Sequence, residues 1–323
     1  MPGMSAQLRR EIEALADGET ALRDNAAALS LAYREKTGQG RRLAVTRTDA
    51  LSYACARMPA TFAAVQRALS LALEQSACRP RTVTDCGAGT GAAALAAYSL
   101  LGQERTLCLE REEAMRSLGS RITEMAGVPA EWESFDILRG NVPPAELVCE
   151  GYMLGELAPA DRGSAALRLW DAAQQMLLLV EPGTPQGFAV LREARNLLVK
   201  KGAAVAAPCP GDGGCPMGPD DWCHFSVRVE RTRLMKQLKG GDAPFEDEKF
   251  CFAALTREKG KACAARILRH PETAKGRITL ALCTKEGLTR AGITKKDPLW
   301  KRARKAEWGD ALDATPGQKD LRE

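Results

Sequence analysis

The sequence predicts an α/β protein. A doubly wound, mostly parallel sheet follows an N-terminal helical segment and precedes a C-terminal lobe that is cysteine-rich, basic and β-containing. Three observations predict it. From about residue 81 to residue 201, short apolar runs alternate with helix-length runs, the rhythm of βαβ units. A glycine turn, Gly87-Ala88-Gly89-Thr90-Gly91, joins the first of these strands to its helix. After Gly202 the alternation stops, and a segment dense in Gly, Pro and Asp carries three cysteines.

Residues 1–78 read as helical, with apolar positions at helical spacing over Met4–Tyr33 and Asp49–Ser76. Pro59 ends one helix or starts the next. Strands are expected at Thr82–Asp85, Arg105–Leu109, Trp132–Ile137, Ala145–Met153 and Met176–Val180. Helices are expected at Ala92–Leu101, Glu112–Met125, Ala165–Gln175 and Gln186–Lys201. Beyond the cysteine segment, strands are expected at Phe250–Thr256, Ala264–Arg269 and Arg277–Cys283, then a basic tail from Thr294 to Lys305. The expected domains are a helical region 1–78, a cofactor-binding domain 79–202, and a metal-bearing basic lobe 203–323 that completes the sheet.

The bulk numbers bound the function. Hydrophobic residues make up 45% of the 323 and charged residues 27%, so the core is large enough to stand without a metal. A metal site would then be local. No apolar run approaches the roughly 18 residues of a membrane span. The N-terminus lacks an apolar stretch and is rich in Glu11, Glu13, Asp17 and Glu19, which argues against a targeting peptide. Eleven cysteines then point to a reducing, cytoplasmic setting with thiols free or metal-bound. Residues 221–323 hold 23 Lys/Arg and 15 Asp/Glu, a net +8 in a chain of net +5. A basic third on a slightly acidic body suits a polyanion, most often nucleic acid, or else a solvated face.

The glycine turn reads Asp85-Cys86-Gly87-Ala88-Gly89-Thr90-Gly91. Glycines let the backbone turn sharply and approach a ligand ahead of a helix N-terminus. Gly87, Gly89 and Ala92 also satisfy a dinucleotide fingerprint. Asp85 and the third glycine, Gly91, favour S-adenosylmethionine (SAM), with Asp85 on the methionine ammonium side. Glu110, about 20 residues on, suits the ribose hydroxyls, and Asp136 the adenine amino group. The fold class is therefore that of the SAM-dependent methyltransferases, a Rossmann-like sheet. After the fourth strand, Cys149-Glu150-Gly151-Tyr152-Met153 offers no tetrad that would hold an exocyclic amine. Cys149 is a nucleophile in one reading and buried filler in the other. No catalytic base is assigned.

Cys209, Cys215 and Cys223 lie within fifteen residues, in a loop unable to bury them by regular packing. A closed metal site needs a fourth ligand. His224 would give a Cys₃His zinc site; a distant cysteine would give an all-thiolate site for zinc or an iron–sulfur cluster. Cys283, at the end of a strand, is the best candidate; Cys251 and Cys263 are weaker. The spacing matches no zinc finger. Trp222-Cys223-His224-Phe225 then runs into Arg228, Arg231, Arg233, Lys236 and Lys239, interleaving aromatics and cations as an RNA-contacting surface would. A solvated helix face is the bland alternative.

These pieces resemble one family, the methyltransferase-like proteins associated with the small ribosomal subunit, found in bacteria and as mitochondrial assembly factors. The resemblance covers roughly residues 45–310. It is carried by Cys209-Pro-Gly-Asp-Gly-Gly-Cys215-Pro, Trp222-Cys-His-Phe-Ser226, Leu238-Lys-Gly-Gly241 and Phe245-Glu-Asp-Glu-Lys-Phe250. Arg57-Met-Pro-Ala-Thr61, Glu181-Pro-Gly-Thr-Pro185 and Trp308-Gly-Asp310 support it. The resemblance implies a 4Fe-4S cluster on Cys209, Cys215, Cys223 and Cys283. It also implies a partner, the small subunit and its rRNA, and a chain that is monomeric off the ribosome. The expected function is a SAM-binding methyltransferase-like protein acting on or with that rRNA. A non-catalytic assembly factor on the same scaffold is the alternative, and a zinc-stabilised NAD-dependent oxidoreductase a more distant one.

Overall fold

The computed structural model describes residues 4–35 and 44–315; residues 1–3 and 316–323 of the outer expected segments, and residues 36–43, lie outside them. Four helices fill the N-terminal segment: α1 (Ala6–Ala14), α2 (Leu22–Glu35), α3 (Arg47–Ala56) and α4 (Met58–Leu73). A capping box starts α3. Thr46 Oγ1 accepts from Asp49 N at 3.1 Å and Asp49 Oδ2 accepts from Thr46 N at 2.8 Å, so the first turn's free N–H groups are satisfied. Pro59 sits in the first turn of α4, where its missing N–H leaves no bond unmade. Helix α4 is buried along most of its length because it packs on both the sheet and α5 (Ala92–Leu101).

The main sheet has eight strands: β1 (Thr82–Cys86), β2 (Arg105–Glu110), β3 (Ala130–Ser134), β4 (Ala145–Gly151), β5 (Ala173–Pro182), β6 (Ala204–Ala207), β7 (Phe225–Glu230) and β8 (Phe245–Thr256). Their order is β3-β2-β1-β4-β5-β8-β6, with β7 also on β8. The first five are parallel, and β8 runs antiparallel to β5, β6 and β7. Helices α6 (Glu113–Met125), α7 (Pro159–Ala172) and α8 (Pro185–Lys200) complete the layers. Covered on both faces, the central strands are mostly apolar, with Asp85 and Glu150 among the buried exceptions; Met176–Val180 of β5 are wholly buried. An antiparallel strand entering between β5 and β6 is the sheet plan of SAM-dependent methyltransferases, and the predicted fold class holds.

The structure departs from the expected elements in several places; residues 173–175, expected in a helix, open β5, and a strand forms over Gly287–Thr294 where none was expected. The third strand ends at Ser134, short of the expected Ile137. The alternation also continues past Gly202: β6 precedes the cysteine loop, and the basic run divides into β7 and helix α9 (Arg233–Lys239).

Trp132 of β3 lies against Gly119 of α6, and its Nε1 donates to Thr123 Oγ1 at 3.0 Å. A Cβ at residue 119 would collide with a ring that this bond holds in place. Gly119→Ala is expected to destabilise the protein by roughly 1–3 kcal/mol, read as a lower denaturation midpoint at unchanged slope.

Five short strands form a second sheet: β9 (Ala265–Ile267), β10 (Glu272–Ala274), β11 (Arg277–Thr284), β12 (Gly287–Thr294) and β13 (Ala311–Leu312). The order is β10-β11-β9-β13, with β12 on β11. It encloses its own small core of Ile267, Ile278, Leu280, Leu282 and Ile293. Helix α10 (Trp300–Ala303) packs on β12. Among the described residues no helix is long and apolar enough to cross a membrane.

Candidate functional site

Two cavities carry the functional residues. The first, about 740 Å³, opens at the carboxyl ends of β1, β2, β4 and β5, where strand order reverses between β1 and β4. That is the switch point at which open α/β sheets take ligands. Gly87, Gly89 and Gly91 all have positive φ, at 72°, 54° and 89°, which a side chain would resist. Gly87, Gly89, Glu110 and Asp136 line the cavity. Glu110 is tied to the turn: its Oε2 accepts from Gly89 N at 2.8 Å and its Oε1 from Glu112 N at 2.7 Å. Burial raises its pKa. Asp136 Oδ1 accepts from Leu138 N at 3.0 Å.

Asp85 and Gly91 lie behind the wall. Gly91 caps the N-terminus of α5. Asp85 is 1% exposed; its Oδ2 accepts from Ala94 N at 2.8 Å and its Oδ1 has no partner. Burial pushes its carboxyl up to about 7, with Glu110 adding to the shift against the Ala94 hydrogen bond. A carboxyl raised in the fold favours folding most when protonated, and the contribution fades as pH climbs from about 4 to about 7. Asp85→Asn keeps the acceptor for Ala94 and removes the buried charge. It is expected to stabilise the protein by roughly 2–4 kcal/mol at pH 8.5 and little at pH 4, measured by melting at both.

Several further residues stand on the wall. Tyr53 and Arg57 reach the cavity from the helical segment, Tyr152 and Glu156 from the turn after β4, Glu181 from β5 and Glu248 from β8. Tyr152 has φ 69°, a strained value for its type, and its hydroxyl donates to Glu248 Oε1 at 2.7 Å. Glu181 Oε1 accepts from Gly155 N at 2.9 Å. Glu150, beneath them, accepts from the N–H groups of Met153, Leu154 and Val180. Burial pushes both Glu150 and Glu156 up to about 8, with repulsion from Asp85 adding to the first and from Glu110 to the second. Arg57, Tyr152, Glu181 and Glu248 fall in segments the sequence marked, within 57–61, 149–153, 181–185 and 245–250, but none was assigned a role there. Cys149 is buried and its Sγ faces Thr84 O, so it packs inside the sheet, away from the cavity.

The second cavity, about 470 Å³, lies between the two sheets. Cys209, Cys215, Cys223, Cys251 and Cys283 stand on its wall. The first two come from the loop after β6, Cys223 from just before β7, and Cys283 from β11. Their thiols interact: burial, with the neighbouring thiols adding to it, raises Cys223 well above the usual range and Cys283 to about 12. Cys251 Sγ lies 3.5 Å from both Glu181 O and Pro182 O. Cys263 is buried and off the wall. His224 is off it too, stacked on Trp222 at 5.0 Å between ring centres and edge-on to Trp308. Among the described residues no three His, Cys, Asp or Glu side chains form a group close enough for a single metal ion.

The basic run is largely self-neutralised. Arg228 pairs with Asp247 at 2.8 Å, and Arg231 and Lys239 with Glu246. Arg233 is exposed and Lys236 half-buried. Trp222 points inward, its Nε1 donating to Gly183 O at 2.8 Å.

A profile of the family described as mitochondrial small ribosomal subunit Rsm22 matches residues 47–313. The chain belongs to the Rsm22 family. It is 28% identical over 310 residues to the human "Ribosome assembly protein METTL17, mitochondrial", covering 87% of this chain and 66% of that one. It is 22% identical over 327 residues to the fission yeast (Schizosaccharomyces pombe) "Rsm22-cox11 tandem protein 2, mitochondrial", covering 82% of this chain and 43% of that one. The chain thus spans less than two thirds of these relatives. Among solved structures, magnesium protoporphyrin IX methyltransferase of Synechocystis, with bound SAH, aligns over 75% of this chain and all of its own at 12% identity and a TM-score of 0.41. These findings correct the cytoplasmic location expected from the thiols and the acidic N-terminus: the matched family and both relatives are mitochondrial by description. A reducing setting fits more than one compartment, and residue composition did not discriminate between them.

Proposed function

We propose that this Rsm22-family chain is a SAM-binding, methyltransferase-like factor acting with the mitochondrial small ribosomal subunit and its rRNA during assembly, and that it carries a 4Fe-4S cluster. The observation that carries the reading is the convergence of Cys209, Cys215, Cys223 and Cys283, drawn from two sheets, on one cavity. A single tetrahedral zinc holds each thiolate at about 2.3 Å. A cubane of four irons is bound by four cysteine thiolates, one to each iron. The donor set is all sulfur, as iron–sulfur ligation requires. Those four thiols would hold the cluster, after losing the protons that burial now favours.

The first cavity supports SAM, with Gly87 and Gly89 giving close backbone approach, Glu110 facing the ribose and Asp136 the adenine. Calorimetry with SAM tests it. Glu110→Ala is expected to weaken SAM binding at least tenfold, since hydrogen bonds to a charged group contribute about 1.5–3 kcal/mol. An unchanged affinity would remove Glu110 from the site. Anaerobic purification tests the cluster: brown, iron-bearing protein is expected, and colourless protein with stoichiometric zinc would refute it.

A non-catalytic role has one specific support. The turn after β4 sets apolar Met153 against Gly87, so close that a Cβ there would be 2.6 Å from Met153 Cγ. Radiolabelled SAM incubated with assembling subunits separates the two readings, because label in rRNA excludes a purely structural role.

A further inference from the structure

The cysteine cavity has a second feature that its thiols do not explain. Arg195 of α8 and Arg266 of β9 stand on the same wall at 5% and 1% exposure. Arg266 Nε donates to Pro208 O and its Nη1 to Gly309 O, both at 2.8 Å. Its Nη2 is buried without a partner. Arg195 gives its terminal nitrogens to Asn196 Oδ1 and Gly211 O, while its Nε is buried and unpartnered. Both are thus oriented by neutral oxygens, and among the described residues neither meets a carboxylate.

Buried guanidinium groups without a counter-ion are costly, by several kcal/mol each. Nothing else on the wall balances them. Arg192, Lys259 and Lys285 also line it, and the one acid there, Asp212, is already engaged by Val205 N at 2.7 Å and Lys259 Nζ at 3.4 Å. The compensating charge must come from the cysteines and what they hold. Arg266 is placed for this: it is the cross-strand partner of Cys283. Arg195 and Arg266 both act electrostatically on Cys209.

We infer that Arg195 and Arg266 are the fixed counter-charges of the four-thiolate site, and that the centre it holds is a dianion whose electron affinity these two residues set. Four thiolates around a cubane core of charge +2 carry −2, which the two guanidinium groups cancel. The inference rests on the four-cysteine reading above. Net charge and nearby dipoles set the potential of such centres. Removing a cation from the wall therefore favours the oxidised, less negative form.

The test uses the full chain, reconstituted anaerobically with iron and sulfide and titrated spectroelectrochemically beside Arg195→Gln, Arg266→Gln and Arg266→Lys. Each Gln variant is expected to lower the reduced-to-oxidised ratio at the wild-type midpoint at least tenfold, which is about 59 mV for one electron. Arg266→Lys, keeping the charge, should restore most of the shift. If Arg266→Gln does not fold, Arg195→Gln reads the same charge. Gln variants with wild-type potential overturn the inference and leave the cluster intact. A Lys variant as far displaced as Gln also overturns it, assigning the effect to hydrogen bonding. A wild-type chain that takes up neither iron nor zinc overturns the four-cysteine reading, and this inference with it. If the centre is zinc, retention against a chelator replaces the potential, with the same order of variants expected.

Discussion

Replacing Cys283 with serine is expected to strip most of the iron from the protein, whereas Cys251→Ser is expected to leave it near the wild-type content. Both thiols stand on the cavity wall, so proximity alone does not separate them. Their surroundings do. Cys251 sits mid-strand in β8, 1% exposed, with its Sγ close to the carbonyls of Glu181 and Pro182. A thiolate there would face two carbonyl oxygens and the Glu181 carboxylate, all repulsive. Cys283 is half-buried, faces the thiols of Cys209 and Cys215, and has Arg266 as its cross-strand neighbour. Arg266 opposes the burial that raises the Cys283 thiol, so of the two Cys283 is the one placed to ligate a metal. A serine hydroxyl is a poor substitute, because iron–sulfur ligation depends on soft thiolate sulfur. Iron and sulfide per chain after anaerobic purification decide it. Equal losses in the two variants, or a larger loss in Cys251→Ser, would undo the choice of fourth ligand.

Why Cys283 could be singled out from sequence, while its arginine neighbour could not, shows what the chain makes legible. Cys283 ends an alternating run, Ile278-Thr-Leu-Ala-Leu-Cys283, so strand and terminus are both visible. Arg266 sits in a similar run, but nothing local marks a buried guanidinium; that depends on Pro208 and Gly309, both distant in sequence. Most of the parallel strands were readable because each is a largely apolar run next to its own helix; β3, Ala-Glu-Trp-Glu-Ser, is not, and its expected bounds ran past its end. The placement of β8 between β5 and β6 was not, since it is fixed by pairing across more than 60 residues. In the glycine turn, Asp85 followed from position relative to the glycines, yet its side chain turned to Ala94 N. Spacing fixes where a backbone goes and leaves open which way a short acid points. The partners of the basic run were hidden for a related reason: its cations are adjacent in sequence, but Glu246 and Asp247 arrive through the β7–β8 pairing.

Stripping the metal is expected to loosen the second sheet and weaken binding to the small subunit at least tenfold, while the main sheet stays folded. The two parts have separate cores. Strands β1 to β5 are packed on both faces by helices, whereas residues 263–312 enclose only a small cluster around Ile267, Leu280 and Ile293. A core of that size rarely supplies more than about 3–5 kcal/mol. Polar ties fasten this lobe to the body, Arg67 to Asp310 at 3.3 Å, Arg269 to Asp221 at 2.6 Å and Arg266 Nε to Pro208 O at 2.8 Å, beside a few apolar contacts of Leu268 and Trp308 with the main cores. Metal ligation would add a link through Cys283 to a loop anchored on β6 and β7. Removing it leaves four thiols near two uncompensated guanidinium groups, which should push the lobe away from the body. The lobe also carries the exposed cations Lys295, Lys296, Lys301 and Lys305 of the basic tail, so its docking should matter for a phosphate-rich partner. Hydrogen exchange on metal-loaded and chelated protein reads the order of events. Protection should fall across residues 208–224 and 263–312 and persist across 82–110 and 145–182. Uniform loss of protection, with the whole chain melting in one step and no folded core remaining, would show that the metal holds the entire fold and that the two-part view is wrong.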